Sequence, residues 1–268
     1  MPAPTFSALL PHPPIIVPEV GRERLDDCRA TFDACRDVAR RMMAARPDRL
    51  VLVSPHAPRR NGAFGLWSGT RLRGDLGRFG APSCAVDLAS DAELSDALAE
   101  TATANGLTTR AIAEQPLDHG AVVPLWFLVE AGWRGPTTIV ALPQWPTSPA
   151  MIAFGRAVAA ATMAPTTRLA LIASGDMSHR VLPEAPAGYH PRAVEFDQAL
   201  TDLLAAGQLD RIAGIDPELR QLAAEDAADT TLIAAAAVDY AASGTRVVSY
   251  EHPFGVGYLV AVVHDATA

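Results

Sequence analysis

Leu50-Val51-Leu52-Val53-Ser54-Pro55-His56-Ala57 reads as a short apolar strand that runs straight into a proline and a histidine. A run without polar alternation is the pattern of a strand covered on both faces, as in a sheet packed between helices. Proline fixes φ and removes a backbone donor, so Pro55 stops the strand and leaves His56 on a stiff loop. The chain repeats this arrangement near its start, where Phe6-Ser7-Ala8-Leu9-Leu10 precedes Pro11-His12-Pro13-Pro14. A third run, Leu169-Ala170-Leu171-Ile172-Ala173, leads into Ser174-Gly175-Asp176-Met177-Ser178-His179. In open α/β sheets the loops at the carboxyl ends of the strands form the ligand crevice, so these histidines are expected on one sheet edge.

Around these strands the pattern alternates strand and helix. This predicts one α/β domain over residues 1–268, with a central, mostly parallel sheet flanked by helices and the site at the strand C-terminal ends. An amphipathic stripe through Leu25, Cys28, Phe32, Cys35, Ala39 and Met42 predicts a helix from about Pro18 to Arg46. Phe64-Gly65-Leu66-Trp67 and Ser83-Cys84-Ala85-Val86 read as the arms of a long hairpin. Asp118-His119-Gly120 opens a helix, and Thr138-Ile139-Val140-Ala141-Leu142 reads as a strand. Two helical stretches are expected from His190 to Ser243, the second opened by Asp216-Pro217. A closing hairpin joins Val247–Tyr250 to Gly257–Ala261.

Composition excludes several functions. The 268 residues carry a formal net charge of −8, which disfavours sequence-independent nucleic-acid binding. All 22 basic residues are arginine, so Schiff-base lysines and a Walker phosphate loop are absent. Cys28, Cys35 and Cys84 form no CxxC pair, and the first two fall on the apolar face of a helix as small core residues. No apolar run is long enough for a membrane span, and Met1-Pro2-Ala3-Pro4-Thr5 has no signal-peptide pattern, so a cytoplasmic protein is expected. Trp67, Trp126, Phe127 and Trp145 read as core residues, with a ring-binding pocket as the alternative.

Four of the seven histidines (His12, His56, His119 and His179) stand at strand ends or a helix start, which favours a shared site over separate loop caps. Two imidazoles alone hold a divalent metal loosely. The third ligand is sought in Ala223-Ala224-Glu225-Asp226-Ala227-Ala228-Asp229, where Glu225, Asp226 and Asp229 are all candidates, against an ordinary solvated helix face. Two histidines and one carboxylate on one face of a metal, with open positions, is the pattern of non-haem Fe(II) oxygenases.

These motifs, with Pro253-Phe254-Gly255-Val256-Gly257-Tyr258, resemble the class III extradiol ring-cleavage dioxygenases along nearly the whole chain. That superfamily, the LigB type, is named for the β subunit of protocatechuate 4,5-dioxygenase. The resemblance implies Fe(II) held by His12, His56 and Glu225, with His179 as acid/base and His119 lining the substrate pocket. It implies a catechol-type or aminophenol-type substrate together with O2, and a homo-oligomer or a small second subunit as partner. Memo-type proteins share part of the motif set, at Ser-Pro-His-Ala and Phe-Gly-Val-Gly-Tyr, so a non-catalytic metal- or peptide-binding module is the first rival. A zinc hydrolase is the second, although no His-Glu-x-x-His stretch is present.

Overall fold

Alternation inside the apolar runs decides how the sheet is covered. In the computed structural model, which describes residues 4–161 and 166–268, Phe6, Ala8 and Leu10 turn to one face and Leu9 to the other. Leu50 and Leu52 divide from Val51 and Val53 in the same way. Each fully buried Phe, Leu or Val among these contributes about 1.5–3 kcal/mol. Met1–Ala3 of the N-terminal stretch read above lie outside the described residues.

In chain order the elements are β1 (Phe6–Leu10), α1 (Pro18–Gly21), α2 (Arg29–Ala44), β2 (Arg49–Ser54), β3 (Phe64–Trp67), β4 (Arg71–Leu76), β5 (Ala81–Ala89), α3 (Ala92–Ala104) and β6 (Thr109–Ile112). There follow α4 (His119–Glu130), β7 (Thr137–Ala141), α5 (Ser148–Ala160), β8 (Leu169–Ser174), α6 (Ala193–Ala205), α7 (Pro217–Ala223), α8 (Ala228–Ala237), β9 (Arg246–Glu251) and β10 (Tyr258–Asp265). An eight-stranded sheet runs β6-β3-β7-β2-β8-β1-β10-β9. Its centre, β7-β2-β8-β1, is parallel throughout, while β10 and β9 add antiparallel strands at one side. Helices α2 and α4 cover one face, and α3, α5, α6 and α8 cover the other. The expected α/β architecture is the one observed.

Three local expectations give way. The long first helix is broken, because Arg22 takes φ 50 and a 3-10 stretch, Arg22–Cys28, precedes α2. Gly21 permits the break, since a Cβ there would lie 2.2 Å from the Ile15 carbonyl oxygen. The hairpin is built from β4 and β5 instead of from Phe64–Trp67. Phe64 stacks on Phe154 at 4.1 Å, and β3 pairs with β6 and β7 in the main sheet. Finally, the acidic run is not helical throughout. Helix α7 ends at Ala223, Ala224 adopts a left-handed φ of 54, and α8 begins only at Ala228.

Candidate metal centre

Strands β2, β8 and β1 are adjacent and parallel, so the loops after them open on the same edge. His12 follows β1, His56 follows β2 and His179 follows β8. His119 is the first residue of α4, whose N-cap Asp118 accepts from Ala121 N–H. His12, His56 and His119 place nitrogens within 4.8 Å of one another, a group able to hold a metal ion. His12 is 1% exposed, whereas the His56 side chain, at 37%, forms the rim.

Hydrogen bonds fix the inner imidazole. The Ser174 hydroxyl donates to the Gly120 carbonyl at 2.6 Å and therefore accepts from His12 Nδ1–H at 2.9 Å. This leaves the His12 Nε2 lone pair facing His56 Nε2, 3.0 Å away. Ser54 supports the second loop, accepting from His56 N–H while donating to Asp118 Oδ1. Gly120 keeps these groups close, because a Cβ there would lie 2.8 Å from Ser54 Oγ and 3.0 Å from His56 Cδ2. His119 stacks on His56 with centroids 4.5 Å apart, and Phe79 from the β4–β5 turn meets His119 edge-on.

The acidic candidates separate cleanly. Glu225 turns away from the imidazoles: Oε1 accepts from Arg220 Nε at 2.6 Å and Oε2 from Ala228 N–H at 2.7 Å. Asp229 also goes to Arg220, at 2.9 Å. Asp226 is the one that reaches the histidines, with Oδ2 3.3 Å from His56 Nε2 and 3.7 Å from His12 Nε2. Ala224 ends α7 with a left-handed φ of 54, and the two carboxylates that follow it point to different places. The geometry therefore departs from the implied set at Glu225, whose carboxylate clamps Arg220 and the start of α8.

A second carboxylate, Asp176, lies within the Gly-Asp-Met-Ser-His stretch, where nothing in the residue pattern marks its role. Its Oδ1 accepts from His12 N–H at 2.9 Å, and its Oδ2 lies 3.7 Å from His12 Nε2. Its own N–H donates to Asp226 Oδ1, and Asp226 N–H donates back to the Asp176 carbonyl. Gly175 makes this lacing feasible, since a Cβ there would lie 2.4 Å from Ala227 Cα. His179 Nδ1–H donates to the Ala224 carbonyl at 2.8 Å, leaving Nε2 as an acceptor. Trp67 is buried as expected, but Trp145 is not in the core; it is 76% exposed.

Electrostatics prepare the donors. Burial pushes His12 down to about 4, against the pull of Asp226, and His119 falls to about 4 through burial and the neighbouring imidazoles. Burial opposes the charged forms of His56 and Asp226 as well, but the Asp226 carboxylate outweighs it at His56, raising that imidazole, and His12 together with His56 outweighs it at Asp226, lowering that carboxyl. Asp176 is driven up by burial and by the charge on Asp226. Two imidazole nitrogens with lone pairs facing at 3.0 Å repel unless a proton or cation lies between them. Metal–nitrogen bonds of about 2.1 Å put ligand atoms about 3.0–3.4 Å apart at right-angled to tetrahedral geometry. The separations of 3.0 and 3.3 Å fall within that range, and the 3.7 Å between His12 and Asp226 lies just beyond it.

The His179 loop is held from behind. Buried Asp197 accepts from Ser178 N–H at 2.7 Å and from the Tyr250 hydroxyl at 2.6 Å. Burial still raises its carboxyl from 3.8 to about 6. The folded state thus binds more protons than the unfolded one between those values, and stability falls as pH rises through them. Asp197→Asn is expected to gain on wild type by about 2 kcal/mol between pH 4 and pH 7, read by urea denaturation. A difference that does not change with pH overturns this assignment.

Fold and site together define an α/β protein with a metal-competent, histidine-rich crevice at the carboxyl edge of its sheet. The chain belongs to the family of the catalytic LigB subunit of aromatic ring-opening dioxygenases, whose sequence model matches residues 7–261. Dioxygenases of this family are metal-dependent. Over 263 residues the chain is 28% identical to Protein CA_C1420 of Clostridium acetobutylicum, covering 93% of this chain and 55% of that protein. It thus spans about half the length of that relative. Among solved structures, the uncharacterized protein JW3007 from Escherichia coli K12 aligns with TM-score 0.63 at 16% identity, over 96% of this chain and 98% of that one, a likeness of fold. Among the described residues no helix is long and apolar enough to cross a membrane.

Proposed function

We propose that the protein is an Fe(II)-dependent extradiol dioxygenase that opens a catechol-type or aminophenol-type ring with O2. His12, His56 and Asp226 are its metal ligands and His179 is its acid/base. The observation that carries this reading is the convergence of two imidazole nitrogens and one carboxylate oxygen at separations of 3.0, 3.3 and 3.7 Å. When bound, ferrous iron supplies adjacent open positions for the diol and O2 and acidifies the bound hydroxyl.

The chain's own residues do the rest. Ser174 holds His12 in the tautomer that offers Nε2. Asp176 fixes the Asp226 loop through its backbone, which leaves Asp226 Oδ2 free to ligate. His179, tied through Nδ1–H to Ala224, presents Nε2 to take a proton from the substrate hydroxyl and return it later in the turnover. His119 is held in its neutral form, so it serves as a hydrogen-bond partner beside the ring.

Protein purified without oxygen, loaded with Fe(II) or Zn(II) and offered a panel of catechols and aminophenols tests this. Oxygen uptake matched by a yellow ring-opened product is expected with iron alone. Silence across the panel overturns the reading in favour of a Memo-like binding module or a zinc hydrolase.

A further inference from the structure

We infer that the groove between α2 and α4 is a nucleotide-type site, in which Phe32 and Trp126 take a planar base while Arg36 and Arg40 receive its phosphate. The cavity there measures about 300 Å³, at the lower end of the range for small-molecule sites. Its α4 wall stands about two to three turns along the helix from His119, outside the metal centre. The inference does not rest on the ring-cleavage reading.

Helical spacing builds the walls. Phe32, Arg36 and Arg40 succeed one another at four-residue intervals and so line one face of α2. Trp126 and Glu130 are spaced likewise on α4. The rings meet across the groove, with Phe32 5.8 Å from Phe127 and Trp126 edge-on to Phe127 at 5.0 Å. Trp126 is only half-buried, which leaves indole surface to the cavity.

Charge supplies the second observation. Residues 29–46 hold five arginines against two aspartates, in a chain of net charge −8. Away from the groove the arginines of α2 are engaged, Arg29 by Asp26 and Arg41 by Asp37, each at 2.6 Å. Arg36 makes no hydrogen bond or ion pair among the described residues. Its guanidinium sits 5.5 Å from the Phe32 ring centroid, a cation–π placement that leaves the N–H donors unused. Arg40 reaches only Asp37, at 3.8 Å, beyond hydrogen-bond length. Glu130 in the facing wall also has no hydrogen bond or ion pair among the described residues, and its oxygens can accept from ribose hydroxyls or a base amino group. Two guanidiniums one turn apart suit a phosphate, and aromatic surface suits a base. A bare anion would leave the rings unused, and a neutral ring would leave the arginines unpaired.

Calorimetry on the metal-free protein at low salt, with AMP, adenosine and inorganic phosphate as probes, tests the site. AMP is expected to bind about tenfold or more tighter than either of the others. The double variant Arg36→Met, Arg40→Met should bring AMP down to the level of adenosine. Trp126→Leu should weaken AMP by about fivefold or more, and Trp126→Phe, which keeps a ring, should restore part of that loss. Circular dichroism melting curves check that each variant folds. Phosphate bound as tightly as AMP would mark a plain anion patch and overturn the inference. So would the absence of AMP binding by wild type, or AMP binding that survives either the arginine pair or Trp126→Leu unchanged.

Discussion

Asp226→Ala is expected to lose metal affinity by more than about a hundredfold, since even supporting groups around a metal account for 10–100-fold. Glu225→Ala is expected to keep its metal. The contrast follows from geometry, because Asp226 Oδ2 lies within 3.3 Å of His56 Nε2 whereas both Glu225 oxygens are used by Arg220 and Ala228. Glu225→Ala should instead cost about 2 kcal/mol in folding, as Arg220 and the first turn of α8 lose a charge-assisted partner. Metal analysis after competition with a chelator, beside thermal melting, separates the two effects. Metal lost from Glu225→Ala and retained by Asp226→Ala would return the third position to the residue implied by resemblance.

His179→Gln carries the second large effect. Glutamine can still donate to the Ala224 carbonyl, so the loop and the bound iron should be retained. Turnover should fall by about 10²–10⁴, the usual worth of a positioned acid/base. Single-turnover oxygen consumption with an unchanged iron content is the measurement. A variant that turns over at the wild-type rate would move proton transfer to another group facing the site, with Asp176 first in line.

The framework of this site is legible in sequence because its parts are local. An apolar strand, a proline and a histidine are contiguous at His12 and at His56, and parallel packing of such strands brings their ends together. What escapes the sequence depends on backbone excursions with no compositional mark. Alanine does not announce a left-handed residue, yet Ala224 takes φ 54 just before the acidic pair, of which Asp226 and not Glu225 turns toward the imidazoles. The role of Asp176 emerges only through its backbone exchange with Asp226, fifty positions away. Asp197 and Tyr250 are equally distant in sequence and meet only once β9 is in place. Trp145 reads as core by chemistry alone, and its location in the loop after β7 overrides that.

The position of β1 has a consequence for how the polypeptide reaches its working form. This opening strand lies in the interior of the sheet, wedged between β8 and the closing strand β10. Its partners are more than 160 residues downstream, so its pairing has high contact order and is entropically late. An ion gripped by the loop after β1 and the turn before α8 would therefore be available only to chains that have completed this long-range closure. Occupancy would then act as a latch on the finished topology, favouring it over partly assembled states by mass action.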